Sequence, residues 1–158
     1  MFSSILRACL CFGFGAIGHF AMAPYNLSPI LLVSFSGLYY ILLKSNGLTS
    51  KFINTWLFGF GYFIFGLQWI GNALLVPGNE EFLWAYPFAL MGLPALLAIF
   101  PASCIAFFTR KLDFSNLSGW FGFVLALSIS ELARGYLFTG FPWNSYGYTW
   151  FSVSQIMQ

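Results

Sequence analysis

The chain has 158 residues, 59% hydrophobic, 22% aromatic and only 6% charged, with mean hydropathy +0.81. A soluble domain carries about 25% charged residues, so composition alone makes lipid the solvent of this chain. A net charge of +2 without a basic cluster excludes nucleic acid as a partner.

Arg7 precedes the first apolar run, which ends near Ala23. Ala21-Met22-Ala23 has the small-residue pattern of a signal-peptide cleavage site, but Pro24 follows it and more apolar runs come after. The run therefore reads as a retained helix over about 5–23. Gly13-Phe14-Gly15-Ala16-Ile17-Gly18 spells GxGxxG, yet no strand precedes it and no acidic residue follows at the dinucleotide spacing. Its expected role is close helix packing through small residues. His19, near the end of the run, reads as a packed histidine, with a proton carrier as the alternative.

Pro24 to Pro29 forms a turn in which Ser28 suits a helix N-cap and Pro29 the first helical position. The second helix, about 29–43, is shorter than the roughly 20 residues of a full span. A polar loop from Lys44 to Lys51 leads to a third helix, about 52–71, ending in the interfacial pair Gln68-Trp69. The acidic loop Asn72–Glu81 precedes a fourth helix, about 82–108. There Pro87, Pro94 and Pro101 recur every seven residues, so each bends the helix toward the same side. Bent packing that leaves a gap between helices is one consequence; simple tolerance is the other. The loop Arg110–Asn116 leads to a fifth helix, about 117–138, followed by a turn over 139–150 and the start of a sixth helix. The predicted fold is all-α, a polytopic membrane helix bundle of about five transmembrane helices plus that sixth beginning, in one domain over 1–158.

The loop charges orient the bundle. With the N-terminus cytoplasmic, Arg7, Lys44, Lys51, Arg110 and Lys111 fall inside, while Glu80, Glu81 and the 139–150 turn fall outside. Five of the six basic residues then obey the positive-inside rule. Of the Asn-Leu-Ser acceptor patterns, Asn26 is followed by proline after its serine and Asn116 falls inside, so neither reads as glycosylated. Cys9, Cys11 and Cys104 cannot all pair and lie in apolar runs, as buried small hydrophobes do. With one histidine and no ligand cluster, neither a metal nor a cofactor is expected.

The sixth basic residue is the informative one. Arg134 sits three positions after Glu131 in the fifth helix, on the same face. A charge at the bilayer centre costs about 2.5–3.5 kcal/mol on insertion scales, so such residues face protein or water and mark function. One reading is an ion pair that fixes helix register. The other is that Arg134 meets an anionic headgroup near the outer interface while Glu131 holds it in place. Gly135, Gly140 and Pro142 imply a tight re-entry of the chain just beyond.

Glu131-x-x-Arg134-Gly135-x-x-x-Thr139-Gly140-Phe141-Pro142-Trp143, followed by Gly147-Tyr148, resembles the signature of the membrane half of apolipoprotein N-acyltransferases. Gly18-x-x-Ala21-x-x-Pro24-Tyr25, followed by Pro29, is similar to the first hairpin of the same family. The resemblance implies a multi-pass protein of the bacterial inner membrane. Its implied partners are membrane lipids, a phospholipid acyl donor and a diacylglyceryl-lipoprotein whose N-terminal cysteine amine is acylated. It further implies ping-pong chemistry through a cysteine thioester, housed in an extracytoplasmic nitrilase-like domain with a Glu-Lys-Cys triad. This sequence contains no such domain, and its cysteines fall near the cytoplasmic ends of helices. The expectation is therefore a truncated or split enzyme with no catalytic residue of its own, completed by a separately encoded nitrilase-like domain. Glu131, Arg134, Gly135, Thr139, Pro142 and Trp143 are the expected substrate-binding residues, at the outer turn and a lipid groove. The alternatives are an inert membrane remnant or scaffold, and a small transporter using Glu131 and His19. The transporter lacks a second embedded acid and a repeated half.

Overall fold

The computed structural model describes residues 3–110, 113–137 and 140–151. Among these the fold is all helical, with no strand. Helix α1 spans Ser4–Gly18, with Ser3 as N-cap: its hydroxyl accepts the Leu6 N–H at 3.2 Å. A 3₁₀ turn, His19–Ala21, extends it, and Ala21 is fully buried in a cluster with Tyr62, Phe63 and Leu67. The segment is thus an integral part of the bundle. Helix α2 spans Ile30–Leu43. Ser28 does not cap it, contrary to the N-cap reading; its hydroxyl instead donates to the Thr149 carbonyl, 121 positions away.

Helix α3, Leu48–Gly66, starts earlier than the sequence suggests. Gly47, at φ 79°, turns the chain, and the Gly47 carbonyl then accepts the Lys51 N–H at 3.3 Å. Lys51 therefore belongs to the helix rather than to the loop. The expected continuation to residue 71 is broken at Leu67, and α4, Gln68–Leu74, leaves at an angle of 46°. The break follows Gly66, where the helix is weakest.

The expected helix over 82–108 is four pieces. A 3₁₀ turn spans Glu80–Ala85, a π-turn spans Phe88–Gly92, and α5 (Leu93–Leu97) is followed by α6 (Ile99–Thr109). The prolines explain the interruptions, because each removes a backbone donor. At the Ala98 break the Ala95 carbonyl takes its donor from a neighbouring helix: Trp56 Nε1 donates to it at 2.9 Å. Such outside donors make broken helices tolerable away from water. Helix α7 spans Leu117–Tyr136, and the Asn116 side chain caps it by accepting the Gly119 N–H at 2.9 Å.

Two helical runs, Ser4–Ala21 and Phe88–Thr109, are long and apolar enough to cross a membrane, and α3 with α4 makes a third if the bent pair is one span. Helix α2 is apolar but only 14 residues long. The beginning of a sixth helix falls outside the described residues.

Helix α3 is the hub, packed on α1, α5 and α6, with α2 against α1 and α7 against α6. Lipid offers apolar helices no hydrophobic reason to associate, so backbone proximity and hydrogen bonds must hold them. The α1–α3 crossing provides the first. A Cβ on Gly15 would fall on the Phe58 carbonyl, and one on Gly61 on the Phe12 carbonyl. The GxGxxG run is thus a packing surface. One core joins Cys11, Leu38, Phe58, Ile105 and Phe123 at mid-bundle; a second joins Leu31, Tyr62 and Phe63 beneath the turn that follows α7.

Candidate functional site

Arg134 has the largest fully enclosed side chain of the described residues, with 1% of its surface exposed. A guanidinium there must spend its donors on protein. Nη1 donates to the carbonyls of Phe141 and Trp143, both at 2.6 Å. Nη2 donates to Glu131 Oε1 and Oε2 at 3.0 and 3.1 Å, and to Ser145 Oγ at 3.2 Å. The Phe63 ring lies 5.2 Å from Cζ, adding a cation–π contact. Nε has no protein partner.

The chain beyond α7 is folded around this cation. Gly140, at φ 81°, lets it double back so that the Phe141 N–H reaches the Arg134 carbonyl at 2.8 Å. A side chain at Gly140 would meet the Gly135 carbonyl, so both the conformation and the space call for glycine. Asn144 makes the second bend at φ 55°, and its carbonyl accepts the Tyr62 hydroxyl at 3.2 Å. Glu131 Oε2 then accepts the Tyr146 N–H at 3.0 Å. A 3₁₀ turn, Tyr146–Trp150, follows, pinned by Ser28 to the start of α2. The Glu131–Arg134 pair is a clasp: one member gathers carbonyls, the other an amide.

Next to the clasp lies an apolar groove of about 860 Å³ between α2 and α7. Leu31, Phe35, Tyr39 and Leu43 form one wall, and Trp120, Phe123, Leu127 and Leu132 the other. Two of its lining rings, Tyr39 and Phe123, stand 5.0 Å apart. Glu131, Ser145, Tyr146, Gly147 and Trp150 form the end nearest the turn.

The expected site residues separate into distinct places. Of the five that are described, Glu131 alone lines the groove, with 19% of its side chain exposed. Arg134 is enclosed and committed to the turn. Gly135 is helical with open space where a Cβ would stand. Pro142 offers its carbonyl to the Ser145 hydroxyl at 3.0 Å. Trp143 is exposed, its ring 6.0 Å from that of Trp69. Thr139 lies outside the described residues. The groove lies between α2 and α7, and none of its lining residues belongs to the proline-containing fourth segment. Ser145 and the α2 wall are the residues that sequence reasoning missed. The available signal was Ser36 and Ser128, serines within apolar stretches of α2 and α7 that both line the groove.

None of the cysteines is near the clasp: Cys11 is in the mid-bundle core with Cys104 packed against it, and Cys9 is exposed on the first half of α1. His19 Nδ1 is buried without a protein partner. Among the described residues no group of histidine, cysteine or acidic side chains could hold a metal.

A family profile described as "Apolipoprotein N-acyltransferase N-terminal domain" matches residues 14–158. The apolipoprotein N-acyltransferase of Allorhizobium ampelinum is 41% identical over 96% of this chain and 30% of its own length. That of Agrobacterium fabrum is 38% identical over the same shares. That of Rhodopseudomonas palustris is 40% identical over 90% of this chain and 27% of its own length. The chain thus spans less than a third of these curated relatives.

Proposed function

The chain belongs to the apolipoprotein N-acyltransferase N-terminal domain family, and from that membership we propose that it is the membrane portion of a lipoprotein N-acyltransferase. In this reading the complete enzyme moves an acyl chain from a phospholipid to the N-terminal cysteine amine of a diacylglyceryl-lipoprotein. A nitrilase-like domain supplies the nucleophile, general base and oxyanion donors. The residues described here form the platform on which lipid substrates approach it. The observation that carries the reading is the clasp: a buried arginine and its carboxylate hold a fixed turn at the mouth of an apolar groove.

The topology we propose has five crossings: α1 with its 3₁₀ extension, α2, α3 with α4, residues 88–109, and α7. The N-terminus is then cytoplasmic and the 140–151 turn extracytoplasmic, in the bacterial inner membrane. Loop charge supports it, since Arg7, Lys44, Lys51 and Arg110 share one end of this arrangement. A contact within that end agrees: Arg7 Nη1 donates to the Lys44 carbonyl at 3.3 Å. Helix α2 rises only about 21 Å, short of a core of about 30 Å, so the bilayer thins or α2 stops below one surface.

Glu131 is assigned the groove mouth, and Arg134 acts on substrate only through the turn it holds. Gly135, Pro142 and Trp143 shape or edge that turn. The test is complementation of a strain depleted of its own N-acyltransferase, with this chain expressed alone and together with a nitrilase-like domain. Rescue by the pair only is the expected result. Failure of both would refute the platform, provided tag mapping places the chain in the inner membrane.

A further inference from the structure

The geometry points to a binding site on the other flank of α2, at the opposite end of the bundle from the clasp. Its ligand is an anionic phospholipid whose head group is held by Arg7 and Lys44 and whose acyl chain lies in the hollow between α1 and α2. The site uses none of the residues assigned to acyl transfer. Its placement in the cytoplasmic leaflet rests on the topology proposed above; the binding itself does not.

Shape is the first argument. The hollow encloses about 700 Å³, with Leu10 and Phe14 on the α1 side and Val33, Gly37, Tyr40 and Ile41 on the α2 side. Its walls are fixed against each other. Ser34 Oγ donates to the Phe14 carbonyl at 2.7 Å, and Gly37 leaves room for the Phe14 ring, since a Cβ there would stand 2.6 Å from the ring carbons. A trough formed before its ligand arrives spares the cost of ordering on binding. Val33 and Tyr40 are more than half exposed, so the hollow opens sideways to lipid. From Leu32 to Lys44 the α2 wall rises about 18 Å, a little over half of a hydrocarbon core of about 30 Å, which is the reach of a chain from one leaflet.

Charge is the second. Helical periodicity carries both walls to a basic residue at the same end. Arg7 stands three positions before Leu10 and seven before Phe14, and Lys44 stands four after Tyr40 and seven after Gly37. The two meet there, because Arg7 Nη1 donates to the Lys44 carbonyl at 3.3 Å. That bond takes one of the five N–H donors of a guanidinium. The Lys44 Nζ lies 5.8 Å from the centre of the Tyr40 ring, over the wall of the hollow. Among the described residues neither Arg7 nor Lys44 has an acid partner; the ion pair found there is Glu131–Arg134. An apolar trough that ends in two cations complements an amphiphile with a negative head group. A water-soluble anion would satisfy the cations and leave the trough unused.

The experiment uses the full chain in phosphatidylcholine vesicles with a trace of phosphatidylglycerol bearing a photoreactive diazirine midway along one acyl chain. A parallel arm carries the same photoreactive chain on phosphatidylcholine. After illumination, labelled peptides are mapped. The expected result is label concentrated on 10–14 and 32–41, about tenfold stronger from phosphatidylglycerol at low salt, as two basic residues drawing one anionic head group allow. The preference should shrink as salt is raised. Lys44→Gln leaves the bond from Arg7 in place, because its acceptor is backbone, and should cut the preference about threefold. Lys51→Gln, at the same end but over the Phe114 ring, should leave it unchanged. The head-group comparison on the unaltered chain stands even if a variant misfolds. Label spread evenly over exposed Leu96, Ile99 and Phe107 would mean bulk lipid only and overturn the proposal. Equal labelling by the two lipids would overturn the assignment of the head group. Equal losses in Lys44→Gln and Lys51→Gln would replace the site by a diffuse field of positive charge. A hollow without label, because a second copy of the chain fills it, would also overturn the site. Acyl transfer does not enter the readout, so the labelling and the complementation test fail independently.

Discussion

Two neighbouring stretches of α3 are held by opposite means. Phe58 and Gly61 cross α1 against Gly15 and Phe12, where two backbones meet with no room for a methyl group. The next two residues, Tyr62 and Phe63, support a turn held by a buried guanidinium, a carboxylate and several backbone bonds. The crossing is specified by shape and degrades gradually as side chains shift. The clasp is specified by stoichiometry, since every carbonyl gathered by Arg134 is stranded if the cation is lost. A membrane protein can use either, because neither depends on water being expelled from between helices. Only the second creates a polar end on an apolar groove.

The largest expected effect breaks the clasp. Arg134→Ala strands Glu131 together with the Phe141 and Trp143 carbonyls, and should cost about 3–5 kcal/mol, the scale for removing one partner of a buried pair. Thermal unfolding of the purified chain in detergent measures it, and proteolysis within 140–151 should rise with it. Arg134→Lys keeps the charge but cannot reproduce the forked donation, so it should fall between the two. An unchanged melting temperature for Arg134→Ala would show that the turn stands without its cation.

The crossing is tested by a pair of glycines two positions apart. Gly15→Ala should cost about 1–3 kcal/mol, the range for overpacking a filled site. Gly13→Ala meets nothing within 4 Å and should be neutral or slightly stabilising. Equal melting temperatures for the two variants would remove the close approach as the reason α1 and α3 associate.

A second glycine pair sharpens the other side of the comparison with smaller effects. Gly140→Ala combines a left-handed backbone with a contact to the Gly135 carbonyl and should cost about 1–3 kcal/mol. Gly135→Ala, in the same motif, has open space and helical geometry and should gain up to about 1 kcal/mol. Activity measured beside stability separates the two roles. A Gly135→Ala chain that is more stable yet fails in complementation would assign Gly135 to contact with substrate or with the catalytic domain.

What the sequence disclosed follows the same division. Composition pointed to helices apolar enough to cross a membrane, because apolar content is a sum over residues and needs no geometry, and two such runs are present. Glu131 and Arg134 stood out because charge in an apolar run is conspicuous, and their i,i+3 spacing already implied contact. Which partners Arg134 takes was not legible. The Phe141 and Trp143 carbonyls are backbone, carry no residue identity, and come within reach only through the bends at Gly140 and Asn144. The Ser28–Thr149 bond was hidden for a related reason: Ser28 has the local credentials of an N-cap, and a long-range acceptor outcompeted them. The groove was the least legible feature, since a gap between α2 and α7 is a property of how far two helices diverge. The breaks near the prolines were foreseeable in place but not in form, because whether a freed carbonyl finds a donor such as Trp56 depends on the neighbouring helix.

The smallest expected effect lies at neither stretch of α3 but in the loop before α7, and it tests whether acid acts on loops before helices. The Asp113 carboxylate accepts the Ser115 hydroxyl at 2.6 Å and the Ser115 N–H at 2.9 Å. These bonds, the hydroxyl first, hold its carboxyl below the ordinary value of 3.8. The Gly78 N–H lowers Glu80 in the same way in the acidic loop. A lowered folded value means that the fold favours the ionised form. The stabilisation is therefore complete only above the ordinary values of 3.8 for Asp113 and 4.5 for Glu80, fades as protons bind the unfolded chain, and is gone once pH falls below the folded value. Both carboxylates are fully exposed, so solvent screens them and the global melting temperature should hardly move. The sensitive measurement is amide hydrogen exchange, corrected for its intrinsic pH dependence. Protection at Ser115 should fall on acidification while protection within α3 holds, and Asp113→Asn should flatten the response at Ser115 alone. Simultaneous loss of protection in the loop and in α3 would show that acid opens the bundle as one unit, and would erase the distinction between regions held by shape and regions held by polar bonds.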